Sequence, residues 1–143
     1  MKTVKQVLEP SKIQVLIGEM IFIGVDVHKL TYHVAVWSRE RGLLASWVQP
    51  SDGRVLHERV REIPFCQLKI VYEAGPTGFG LARQLKNSGC RVEVIAPSHI
   101  PQLPGRQAKT DRLDCKNLAM LSAKGMLRKI YIPQSKRRQT GRV

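Results

Sequence analysis

The chain has 143 residues, 43% of them hydrophobic, which fits one soluble globular domain around a single core. Its 24 Lys and Arg against 11 Asp and Glu leave a net charge of +13, the mark of a polyanionic partner: nucleic acid, or less often an acidic membrane surface. Three cysteines, Cys66, Cys90 and Cys115, odd in number and without CxxC or CxxH spacing, exclude a disulfide framework and a zinc site and suit a reduced, cytoplasmic protein.

Residues 1–20 read as an extension broken by Pro10-Ser11. The opening "MKTVKQVLEPSK" lacks the apolar run and cleavage site of a signal peptide, and Met20 stands as an alternative start. The longest apolar stretch, "IQVLIGEMIFIGVDV", is interrupted by Glu19 and Asp26 and is too short to span a bilayer, so no membrane partner is expected. "MIFIGVDVHK" has the β-branched, apolar character of a strand buried on both faces. "TYHVAVWS" and "GLLASWVQ" follow as adjacent strands, giving a three-strand antiparallel meander. Ser51-Asp52-Gly53 opens a helix, "GRVLHERVREI", which Pro64 ends. "LKIVYEA" is a second buried strand, and Gly75-Pro76-Thr77-Gly78 a turn with Thr77 placed to cap the next helix, "GFGLARQLKN". A strand, "CRVEVIAPS", and a basic loop, "HIPQLPGRQAK", lead to a helix expected from about Thr110 to Lys124, closed by Gly125. "LRKIYIP" is a short extended piece and "QSKRRQTGRV" a basic tail. This order indicates an α/β fold around one mixed sheet.

Basicity is concentrated late. Residues 101–143 hold eleven Lys and Arg against two acids, nine of the thirteen net charges. The two acids, Asp111 and Asp114, sit three apart inside that run. An Asp pair at a helix start can simply cap it. Residues 111, 114, 118 and 121 also share one helical stripe, and Leu118 and Leu121 should face the sheet, so both aspartates are expected on the buried side.

Two further acids lie on the buried strands. Asp26 interrupts Ile, Phe, Gly and Val, where an uncompensated carboxylate costs several kcal/mol. It is either paired with a base or solvated at the strand end, or else a metal ligand or general base. Glu73 closes the other buried strand before a Gly-Pro turn, as an ordinary junction charge or as a site residue. Should the four converge at one rim of the sheet, they could all ionise only with divalent cations between them. Oxygen ligands select Mg²⁺ or Mn²⁺, and two such ions about 4 Å apart act on phosphodiesters. Lys29, Arg106, Lys109, Arg112 and Lys116 would hold the nucleic-acid backbone.

"FIGVDVHK", "VYEAGPTGFGLARQL" and "PGRQAKTDRLDCKNLAML", in this order and spacing, resemble the N-terminal DEDD domain of insertion-sequence 110 family transposases. That domain is RuvC-like and belongs to the RNase H-like superfamily. The resemblance covers residues 21–133 and implies an RNase H-like mixed sheet of about five strands flanked by helices. It also implies that Asp26, Glu73, Asp111 and Asp114 are catalytic and bind Mg²⁺ or Mn²⁺, and that the chain acts in DNA transposition and recombination by cleavage and strand transfer. DNA is then the partner, with a structured guide RNA in at least some members, and a homo-oligomer is expected at full length. Family members carry a C-terminal serine domain as well. Here a basic tail, residues 134–143, ends the chain, and Ser135 within it is not tied to that serine, so the chain reads as a truncated copy that need not be active alone. The alternatives are a non-catalytic nucleic-acid-binding remnant and a Holliday-junction-type resolvase. A sugar-kinase or actin-like ATPase is disfavoured, because Val27-His28-Lys29 replaces the phosphate-binding Gly-Thr or Gly-Ser turn. His28, on the strand face of Asp26, is a rim histidine or a substrate contact; Trp37 and Trp47 are packing groups.

Overall fold

The structure, a computed structural model, describes residues 10–63, 67–75, 79–96, 113–127 and 129–130. Strands β1 (Met20–Val27), β2 (Thr31–Ser38) and β3 (Gly42–Pro50) form the expected antiparallel meander, followed by helix α1 (Gly53–Val60), strand β4 (Gln67–Glu73), helix α2 (Gly80–Asn87) and strand β5 (Val92–Ile95). Helix α3 (Cys115–Ala123) and a two-residue strand β6 (Lys129–Ile130) follow, and a short 3-10 turn (Pro10–Lys12) precedes β1. The sheet order is β3-β2-β1-β4-β5-β6. Strands β1, β4 and β5 run parallel, and β2, β3 and β6 join antiparallel. The mixed α/β sheet read from the sequence is therefore the observed fold, with β6 a sixth strand drawn from the "LRKIYIP" piece.

Strand β1 is central, which is why its sequence is apolar on both sides. Ile21, Ile23, Val25 and Val27 enter the larger core with Leu56 and Val60 of α1 and Leu81, Ala82 and Leu85 of α2. The opposite face receives α3, where Val71, Ile95 and Leu118 form a second, smaller cluster. Fully burying a side chain such as Leu118 stabilises the fold by about 1.5–3 kcal/mol. Gly24 makes the close approach possible: a Cβ there would run into the Cys115 carbonyl oxygen and lie 2.7 Å from the Ala119 amide nitrogen.

Helix α1 starts as read, with the Asp52 carboxylate accepting the Arg54 amide at 2.8 Å. It ends at Val60, three residues early. The chain continues through tighter turns, Glu62 N–H to Arg59 O and Ile63 N–H to Val60 O, which still deliver Ile63 to the core. The segment before β1 packs onto the sheet. Ile13 is buried in the main core, and Glu19 is buried against Ser38 and Arg41 of the meander.

The start of α3 differs from expectation. Leu113 and Asp114 are not helical, and Asp114, at φ −78° and ψ 174°, is the extended N-cap of a helix that begins at Cys115. Position 114 is therefore not on a helical stripe with 118 and 121. Leu118 is buried as read, whereas Asp114 lies outside the helix and is exposed. Thr77, Cys66, the stretch expected as a basic loop, "HIPQLPGRQAK", and the expected basic tail, residues 134–143, lie outside the described residues.

Candidate functional site

The parallel pairing of β1 with β4 runs to Val25 opposite Tyr72. The next residue on each strand is Asp26 and Glu73. The two acids thus stand side by side at the C-terminal ends of adjacent central strands, about 4.8 Å apart in backbone spacing. Side chains alternate along a strand, so Asp26 shares the face of Gly24, and Glu73 that of Val71, both beneath α3. Glu73 is 4% exposed and the Asp26 side chain 13%.

Two contacts bring the start of α3 to this rim. The Leu113 amide donates to Glu73 Oε1 at 3.4 Å. The Cys115 thiol, the first residue of α3, is pushed up to about 11 by burial and then by the negative fields of Asp114 and Asp26. The carboxylate of Asp114 itself accepts the Asn117 amide at 2.9 Å, completing the cap. Asp26 Oδ2 meets His28 Nε2 at 3.0 Å.

Three of the four acids selected from the sequence, Asp26, Glu73 and Asp114, therefore gather at one end of the sheet. Asp111, Arg106, Lys109 and Arg112 lie outside the described residues. Lys29, in the β1–β2 turn, and Lys116, in the first turn of α3, are exposed at that end. Asp114 faces solvent and caps its helix, which corrects the inward orientation expected of it. Among the described residues no group of three or more His, Cys, Asp or Glu side chains is arranged to hold a metal ion. The donor chemistry of the strand pair, two carboxylates and no thiolate, suits a hard divalent cation.

No sequence motif marks His33 as a site residue. It lies opposite Asp26 across the antiparallel pair, and its ring is 4.9 Å from that of His28. A hairpin centred between Lys29 and Leu30 places residues 26 and 33 opposite each other, so the signal lay in the turn rather than in any metal-ligand spacing.

The three-strand meander running into two parallel strands, with acids at the ends of the central pair, is the RNase H-like arrangement that the motifs imply. The candidate transposase y4qE of Sinorhizobium fredii is 38% identical over 117 residues, 78% of this chain and 30% of that protein. The transposase for insertion sequence element IS1533 of Leptospira borgpetersenii is 30% identical over 110 residues, 71% of this chain and 30% of that protein. The chain is thus related in sequence to transposases over most of its own length, as its three motif blocks imply, while spanning about a third of theirs. No family model matches. Among solved structures, a Thermus thermophilus RuvC structure aligns with TM-score 0.48 at 15% identity, covering 78% of this chain and 100% of that one. T. thermophilus RuvC in complex with Holliday junction substrate aligns with TM-score 0.45 at 14% identity, covering 78% and 99%. No helix among the described residues is long and apolar enough to cross a membrane.

Proposed function

We propose that this chain is a DNA-processing catalytic domain of the insertion-sequence transposase type, cutting and joining phosphodiesters at the rim where Asp26 and Glu73 meet. The observation that carries the reading is that adjacency: two acids, from strands far apart in sequence, side by side at the ends of parallel strands with the start of α3 tied to one of them. Asp26, Glu73, Asp114 and Asp111 would hold Mg²⁺ or Mn²⁺, which would supply Lewis-acid activation for phosphodiester cleavage. The protein's own part is to hold carboxylates that repel one another in a fixed frame. Parallel strand pairing fixes Asp26 and Glu73, and the Leu113 amide supports Glu73. Lys29, Arg106, Lys109, Arg112 and Lys116 bind DNA phosphates by charge, which positions DNA without reading its sequence. A homo-oligomer and a structured guide RNA are what the insertion-sequence 110 resemblance implies for a longer protein.

Cleavage of linear and branched DNA, with and without Mg²⁺, tests the proposal. Asp26→Ala is expected to abolish metal-dependent cleavage and leave DNA binding equal or tighter, since a charge that repels phosphate is removed. Calorimetric titration of Mg²⁺ or Mn²⁺ should show a carboxylate-dependent site that Asp26→Ala weakens. Steeply salt-dependent DNA binding with no metal uptake and no cutting would leave a binding module instead. Preference for branched DNA over linear would favour a junction resolvase.

A further inference from the structure

On the face covered by α3, one register row crosses the sheet at the level of the acids: Glu73 on β4, Asp26 on β1, His33 on β2 and Val48 on β3. The backbone of α3 lies over the preceding row, at Gly24, so this row emerges beyond the first residue of the helix. Exposure rises along it, from 4% at Glu73 to 58% at Val48. Beside the row, the β1–β2 turn presents Leu30 at 78% exposure. That turn is fixed. The His28 amide donates to Thr31 O at 2.9 Å, the Ser51 amide to Leu30 O at 3.2 Å, and Ser51 Oγ to Lys29 O at 2.9 Å. From Val27 to Ser38 the sequence contains no acid, and it carries Lys29 at the apex of the turn.

A tethered turn that holds an aliphatic side chain in water, next to two imidazoles and one step from a carboxylate pair, has the composition of a base-stacking surface: flat or apolar groups for the bases, a cation for the phosphate. We propose that His28, His33, Leu30 and Val48 form a shelf that takes unstacked bases of the DNA strand beside the phosphate to be cut at the Asp26–Glu73 rim. The inference rests on the DNA reading above and adds to it a preference for locally unpaired DNA. Two strand spacings separate Asp26 from Val48, about 10 Å, so the shelf takes only a few nucleotides.

The full chain is titrated with a perfect duplex and with the same duplex carrying a short unpaired bubble. Wild type should bind the bubble more tightly, by about tenfold, the scale of one stacked base. Leu30→Ser and Val48→Ser, both at exposed positions that folding does not require, should each erase most of that ratio. A 5-iododeoxyuridine placed in the bubble should photo-crosslink to the peptide containing residues 28–33. Equal preference in wild type and both variants, or a crosslink that maps elsewhere, overturns the shelf while leaving DNA binding standing. Wild type that binds neither DNA overturns the functional reading itself, and the shelf with it.

Discussion

The two ends of β1 hold their carboxylates in contrasting surroundings. Before its first residue, Glu19 is buried and held by the Arg41 guanidinium, with Nε and Nη2 donating at 2.8 Å, and by the Ser38 hydroxyl. These bonds hold Glu19 well below its ordinary value, from 4.5 to about 2, against the opposing effect of burial. Nearby, Arg39 donates to Ala123 O at 3.3 Å and lies over the Phe22 ring, so the C-terminal end of α3 is fastened at that same end of the sheet. At the far end, Asp26 meets an exposed imidazole and Glu73 a main-chain amide at 3.4 Å. An acid clamped by a guanidinium is committed to holding the fold. The contacts of Asp26 and Glu73 instead tie the two strand ends to the β1–β2 turn and to the segment that leads into α3.

The contrast breaks most severely at the glycine between the two ends. Gly24→Ala pushes a methyl group into the backbone of α3 and should cost about 3 kcal/mol, with loss of the start of α3 from the acid pair. Thermal melting measures the first effect and metal calorimetry the second; an unchanged melting midpoint would mean that α3 sits farther from β1.

Next comes the structural end. Arg41→Met leaves Glu19 buried without its main cation and should cost about 2 kcal/mol at neutral pH, with no direct effect on metal or DNA binding. Because the folded value of Glu19 lies below its ordinary one, its contribution is complete above pH 4.5 and fades as pH falls toward about 2. The melting midpoints of wild type and Glu19→Gln should therefore converge in acid; a gap independent of pH would show that the carboxylate charge is not what Arg41 holds.

Smallest in stability is the substitution that separates the two roles of Asp114. Asp114→Ala removes a cap and should cost about 1 kcal/mol, whereas Asp114→Asn keeps an oxygen for the Asn117 amide and should fold as wild type. Both should weaken divalent metal. Unaltered metal affinity in both variants would make Asp114 a cap only.

The meander, both parallel strands and the three described helices were legible because burial on both faces writes continuous apolar runs and amphipathic helices write a periodic one. Asp26 and Glu73 stood out for the same reason: each interrupts or closes a run that has no other use for a charge. Asp114 was legible as a residue but not in its orientation. A helix drawn through Leu113 and Asp114 put it on the buried stripe, and cap and first-turn positions look alike without backbone angles. Glu19 was read only as a break in an apolar stretch, since nothing near it in sequence announces Arg41, twenty-two residues on.

By itself, then, the order of residues determined the α/β class, the positive surface and the candidate acids, because those depend on local pattern and total charge. Tertiary structure alone decided which acid is neutralised by an arginine, which two share a strand boundary, and which face of the sheet α3 covers. Those are matters of register and close approach between distant segments, and the sheet order and the glycine beneath α3 settle them only once the chain has folded.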